Sequence, residues 1–299
     1  MSARLLLLCP GQGNQHEAMF DVARTDPRAA AFLAQCPLPE GSLFDNCVAQ
    51  PSIVAATLAM WEALRGRVPA PALVAGYSIG ELAAYGVAGA LEPLQVVQLA
   101  RTRAQLMNQA AKATPPQALV ALSGLPLERM RPLAQADHFE IAIVTGEDSC
   151  IAGGLLDALP ALEQAVAAVG GRLQLLPVGI ASHTSLMAPA VAPFATALEA
   201  APFGGQACPV LSGTSAERIA GKERAVDHLS RQLAHAIEWS ACMDAAAEAG
   251  VTVALELGPG AALARMLQAR HPAIACRSAA EFRSLDGIAA WLARHVDIA

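Results

Sequence analysis

The sequence predicts an α/β fold: a mostly parallel sheet covered by helices, interrupted midway by a smaller domain with its own strand and helix order. Three observations carry this. Short apolar runs ending at glycine alternate with stretches of helical spacing. The middle of the chain breaks that rhythm with two adjacent strand-like runs. The composition, 54% hydrophobic with 15% charged and 4% aromatic residues, suits helices packed on buried strands rather than a disordered chain.

In chain order, Leu5 to Leu8 precede Pro10-Gly11, Ala72 to Ala75 precede Gly76, and Val251 to Leu257 precede Gly258-Pro259-Gly260. Continuously apolar strands need cover on both faces. Ligands of such sheets gather beyond the carboxyl ends of the strands, so all three glycine turns belong at one end. Between them, Gln117 to Ser123 reads as strand, Leu127 to Ala136 as helix, and Phe139 to Val144 and Ser149 to Gly153 as two strands. Leu156 to Val169 then has helical spacing and Arg172 to Val178 is extended, which completes β-α-β-β-α-β, the ferredoxin-like order. This places a small domain at 117–179 inside a large domain made of 1–116 and 180–299, with a cleft at their junction.

Several function classes are disfavoured. A net charge of -6, with no run of Lys or Arg longer than two, gives no footprint for a nucleic-acid backbone. Leu5 to Leu8 is too short for a signal-peptide core, and longer apolar stretches meet charges, Pro or Gly before the roughly 20 residues of a membrane span. Seven scattered cysteines without a C-x-x-C pair argue against a disulfide framework or a metal site. The expectation is a cytoplasmic protein whose cysteines are small buried hydrophobes.

The chemistry starts at Gly76-Tyr77-Ser78-Ile79-Gly80, which follows an apolar strand and precedes a helical pattern from Glu81 to Ala90. That is the context of a nucleophile elbow, with Ser78 at its tip and helix N-terminal N–H groups behind it. The Ile79 N–H is placed to supply one half of an oxyanion hole. Gln12, in Gly11-Gln12-Gly13, is placed to supply the other, although spacing alone equally suits a plain strand-to-helix turn. A serine hydroxyl needs a base, and His183 in Ser182-His183-Thr184 follows directly on the return from the small domain. A lone histidine is also a common structural residue. Arg103 in the helical stretch Val96 to Ala111 fits a solvated face or a bidentate clamp on a carboxylate, and spacing does not choose.

Taken in order, these segments resemble the malonyl-CoA:acyl carrier protein transacylase family. Pro10-Gly11-Gln12-Gly13-Asn14-Gln15 resembles its P-G-Q-G-x-Q, Gln50-Pro51 its Q-P, and Gly76 to Glu81 its G-H-S-x-G-E. Arg103 with Met107 fits R-x-x-x-M, Ser182-His183 with Leu186-Met187 fits S-H-x-x-L-M, and Glu256 to Gly260 fits E-x-G-P-G. The resemblance implies an α/β-hydrolase-like large domain and ping-pong acyl transfer by a Ser78–His183 dyad, with Arg103 on the substrate carboxylate. It also implies that the backbone carbonyl of Gln232, rather than a carboxylate, orients His183. No bound cofactor is implied. The donor would be malonyl-CoA, and the acceptor the CoA-derived prosthetic thiol of a carrier protein.

The sequence departs from the family pattern at two places. Tyr77 replaces the usual His, and Ala142 to Gly146 replaces an Asn-rich stretch. Gly-Tyr-Ser in a stand-alone chain resembles the branch that serves as the acyltransferase (epsilon) subunit of malonate decarboxylase, whose acceptor would be the decarboxylase's own carrier subunit. The alternatives are a fatty-acid-synthesis transacylase, which shares every catalytic residue, and a serine thioesterase. Carrier proteins are often acidic, so Arg65, Arg67 and Lys112 are candidate docking residues.

Overall fold

The computed structural model describes residues 4–36 and 38–296. Its strands, in chain order, are β1 (Leu5–Cys9), β2 (Leu73–Gly76), β3 (Gln117–Ser123), β4 (Glu140–Val144), β5 (Ser149–Leu155) and β6 (Arg172–Leu175). They continue with β7 (Val210–Leu211), β8 (Arg218–Ile219), β9 (Ile237–Glu238), β10 (Val253–Glu256) and β11 (Ala275–Ser278). Two sheets result. The first has the order β11-β10-β1-β2-β7-β8 and the second β6-β3-β5-β4-β9.

The first sheet is parallel from β11 to β7, and only β8 runs against its neighbour. Its central strand shows why the run Leu5 to Leu8 is uniformly apolar. Leu5, Leu7 and Cys9 point into one core, while Leu6 and Leu8 point into another on the opposite face. The second core also takes in Leu119, Ala142 and Ile143, so the two sheets share buried apolar surface. A third core lies between the second sheet and the helices Leu127–Ala136 and Leu159–Ala168, fed by Val120, Leu122, Phe139, Leu162 and Val166.

The second sheet is antiparallel through β3, β5, β4 and β6, but β9 joins β4 in parallel from far along the chain beyond β6. Two residues, Ile237 and Glu238, are too short a strand to announce themselves by alternation. The helix Asn46–Leu64 likewise departs from the sequence reading: by length and average hydropathy it passes the test for a membrane span, despite Asn46, Gln50, Pro51, Ser52 and Glu62. It is a core helix, buried along nearly its whole length.

The three glycine turns do meet at the carboxyl end of the first sheet. A Cβ on Gly11 would lie 2.7 Å from the Tyr77 carbonyl oxygen, and one on Gly258 would lie 2.2 Å from the Pro10 ring. Arg65 and Arg67 come just before β2 and so lie toward the opposite end, paired with Glu62 and with Asp26 and Asp286. They are poorly placed to guide a carrier to the glycine turns.

Candidate active site

β2 delivers the chain to Ser78 at φ 56° and ψ -117°, a strained conformation for a residue with a side chain. Hydrogen bonds from Tyr77 N–H to the Cys9 carbonyl (3.0 Å), Gly80 N–H to the Tyr77 carbonyl (2.9 Å) and Glu81 N–H to the Ser78 carbonyl (3.0 Å) hold the corner. The flanking glycines are steric requirements. A Cβ on Gly76 would sit 2.2 Å from the Glu81 nitrogen, and one on Gly80 would sit 2.1 Å from the Cys9 oxygen. Ile79 opens the helix Ile79–Val87, where an N–H has no intrahelical acceptor, so its N–H lies next to the serine as the elbow requires.

His183 comes to Ser78 from across the fold. Its Nε2 lies 2.8 Å from Ser78 Oγ and its Nδ1 lies 2.6 Å from the Gln232 carbonyl oxygen. A carbonyl only accepts, so Nδ1 carries the proton and donates, and Nε2 is left to accept from the serine hydroxyl. His183 itself sits at φ 65°, with its N–H bonded to the Leu233 carbonyl at 2.8 Å. The second sheet fixes its loop at two strands: Ala181 N–H donates to Gln117 Oε1 of β3 at 2.8 Å, and the Ser185 N–H and hydroxyl both donate to the Glu140 carboxylate of β4.

Burial pushes the His183 imidazole down to about 3, with the nearby Arg103 charge lowering it further and the Gln232 carbonyl opposing. The unfolded chain takes up a proton at this residue near the ordinary 6.5, whereas the folded chain refuses it until about 3, so this group costs stability as pH falls across that window. In histidine-labelled protein the His183 ring is expected to keep its neutral NMR signature from pH 8 down to about 5, well below the ordinary histidine range. A titration near 6.5 would show that the imidazole is not buried as described.

Arg103 is 2% exposed and lies behind the dyad. Its Nη1 donates to Gln50 Oε1 at 2.7 Å and its Nη2 to Gln232 Oε1 at 3.2 Å. Gln50 passes its own donors outward, to Asn46 Oδ1 (2.7 Å) and Met107 Sδ (3.4 Å). Burial pushes Arg103 down to about 10, partly offset by Glu81, so it stays a cation at neutral pH. The solvated-face alternative for Arg103 is therefore excluded, and Gln50 emerges as its partner. A wholly buried glutamine in the apolar run 46–64 is the signal that marks such a role, because an amide is buried only when it is bonded.

An inner cavity of about 240 Å³ holds Ser78, His183 and Gln12, with a mostly apolar wall that includes Leu119, Ile143 and Ile151. Neither Arg103 nor Ile79 lines it: Arg103 reaches the dyad through Gln232, and the Ile79 side chain belongs to the large core. The cavity continues into an outer cleft of about 1350 Å³, and Tyr77, Ile151 and Met266 line both. Tyr77 stands edge-on to Trp239, with centroids 5.3 Å apart. The stretch Ala142 to Gly146 borders this passage, with Ile143 on the inner cavity and Val144, Thr145 and Gly146 on the outer cleft. Among the described residues, no group of three or more His, Cys, Asp or Glu is arranged to hold a metal ion.

Residues 6–280 match the acyl transferase domain family. The chain belongs to that family. This acyl transferase is 30% identical over 301 residues to the malonyl CoA-acyl carrier protein transacylase of Mycobacterium bovis, covering 95% of this chain and 99% of the relative. The crystal structure of the Mycobacterium tuberculosis transacylase superposes with a TM-score of 0.88 at 29% identity, covering 96% of this chain and 99% of the other. A malonyl-transacylase solved in complex with a type II polyketide synthase acyl-carrier protein gives a TM-score of 0.88 at 26% identity, covering 95% of this acyl transferase and 98% of that chain.

Proposed function

We propose that this acyl transferase moves a malonyl group from malonyl-CoA to the prosthetic thiol of an acyl carrier protein through a malonyl ester on Ser78. One observation carries the reading: Ser78 and a neutral His183 are hydrogen-bonded at 2.8 Å, and behind them lies a buried arginine whose partners are the neutral amide oxygens of Gln50 and Gln232. A dyad alone suits any acyl group. A desolvated guanidinium held by amides, not by a carboxylate, suits an acyl group that brings its own carboxylate.

Ser78 Oγ attacks the thioester carbon while its proton passes to His183 Nε2, and the Ile79 and Gln12 N–H groups take the oxyanion. Collapse breaks the C–S bond, and the departing thiolate takes the proton from Nε2. The carrier thiol then gives its proton to Nε2 and attacks the ester, and the Ser78 alkoxide recovers that proton. Gln232 holds the imidazole through its backbone carbonyl, the place an aspartate fills in a triad. The apolar wall of the inner cavity favours transfer over attack by water.

The named relatives support an ordinary acyl carrier protein as acceptor, as in fatty-acid synthesis, over the decarboxylase carrier suggested by Gly-Tyr-Ser. Tyr77, which lines both cavities, is the feature that keeps the second acceptor worth testing. We also read 117–179 as a ferredoxin-like unit inserted in an α/β-hydrolase-like unit of 1–116 and 180–299. The strand order β6-β3-β5-β4 and the strand-to-helix corner at Ser78 support that division.

Intact-mass analysis after mixing with malonyl-CoA, then with each carrier in turn, tests the reading. A malonyl adduct that moves to an acyl carrier protein is the expected result. Movement only to a decarboxylase carrier would shift the acceptor, loss to water alone would indicate a thioesterase, and no adduct on folded protein would overturn the mechanism.

A further inference from the structure

The helix Ile79–Val87 buries an acid that the proposed mechanism does not use. Glu81 is fully inaccessible, and burial pushes its carboxyl up to about 7 against the Gly213 N–H, the Gln232 amide and the Arg103 charge. Its Oε2 accepts from Gly213 N–H at 2.9 Å and from Gln232 Nε2, while Oε1 has no hydrogen-bond partner. Burying a carboxyl with one oxygen unmatched is costly, and a well-packed apolar side chain would avoid that cost. Its placement becomes intelligible from what Gln232 touches next.

Gln232 makes three contacts with the reaction machinery. Its carbonyl takes the His183 Nδ1–H, its Oε1 takes Arg103 Nη2, and its Nε2 faces Glu81. A primary amide can turn about its last bond, exchanging oxygen for nitrogen. The Arg103 guanidinium only donates, and Glu81 Oε2, which already accepts from the Gly213 N–H, offers Gln232 a lone pair whether or not Oε1 carries a proton, so the two sides permit a single orientation. Remove the acceptor at 81, and nothing on that side prevents the amide from turning its N–H groups toward Arg103.

We propose that Glu81 is a positioning residue which, by orienting Gln232, sets the carboxylate-binding arginine and the catalytic histidine together. This rests on the reading of Arg103 and His183 given above. Because the amide stands between them, Glu81 is kept off the guanidinium and does not occupy the place meant for the substrate carboxylate. The acid of the nucleophile motif thus acts on the serine through three contacts: Glu81 to Gln232, Gln232 to His183, and His183 to Ser78.

The test compares Glu81→Leu and Glu81→Gln in the full chain, with kcat and KM for malonyl and acetyl transfer to one carrier thiol and circular dichroism as the check on folding. Glu81→Leu is expected to lower malonyl kcat/KM by about 100-fold and to raise KM for the malonyl donor more than for the acetyl donor, narrowing the preference by about 10-fold. Glu81→Gln still offers Gln232 an oxygen and is expected to recover most of both losses. Should Glu81→Leu fail to fold, Gln232→Leu, which keeps the backbone carbonyl on His183 but removes the amide, must show the same loss of malonyl preference.

Folded Glu81→Leu with unchanged constants would overturn the proposal, as would equal malonyl and acetyl losses that Glu81→Gln does not rescue. Failure of the parent reading looks different: the unmodified protein would form no malonyl-serine or would show no malonyl preference to lose.

Discussion

Ser78→Ala protein is expected to form no covalent adduct with malonyl-CoA and to lose about 10⁴-fold or more in transfer rate. The change removes the proposed nucleophile and the hydroxyl bonded to His183 Nε2, but it leaves the corner intact, because the three hydrogen bonds that hold it are made by backbone groups. Alanine at φ 56° keeps the strain that serine already bears, so folding should be nearly unchanged. His183→Ala should lose a similar factor, and the double variant little more, since the two side chains act as one unit. Intact-mass and peptide mapping decide the matter. A Ser78→Ala protein still labelled at the normal rate would place the nucleophile elsewhere.

The second large effect is expected at Arg103. Arg103→Ala should lower malonyl transfer by about 10²- to 10³-fold and acetyl transfer far less, because only malonyl brings a carboxylate to be held. The change also leaves Gln50 Oε1 and Gln232 Oε1 without their buried donor, at a cost of about 1–3 kcal/mol each, so the melting temperature should fall as well. A stability loss by itself affects both donors alike. The ratio of malonyl to acetyl kcat/KM in folded protein therefore isolates the clamp. Equal losses for the two donors would assign Arg103 a purely structural role.

Much of this arrangement is legible in the sequence because its causes are local. The Leu5–Cys9 run, the strand-to-helix turn at Ser78 and the alternation between 117 and 175 each carry their own pattern, and the glycines mark where backbones approach. Strand β3 and the helix Leu127–Ala136 have the bounds read from the chain alone. The pairing of Ser78 with His183 across 105 positions is a different matter. No spacing rule predicts it; only resemblance to a family with the same order of segments points to it. The polar wiring was least legible: a buried amide such as Gln50 or Gln232 is conspicuous, but its partner lies on another helix, and composition does not say which. β9 has no signature in the sequence because its strand character comes from docking against β4 rather than from its own two residues.

The loop that carries His183 is tied to the second sheet at Gln117 and Glu140, the first residues of β3 and β4. Those strands also supply Leu119 and Ile143 to the wall of the inner cavity. Substrate preference and base alignment therefore share a foundation and are not independent modules for an engineer. Transplanting the 117–179 segment from a relative to change the acyl group would also replace the two anchors of the histidine loop. A graft that retains Gln117 and Glu140 while varying Leu119, Ile143 and Ile151 recontours the cavity and leaves the base where it is.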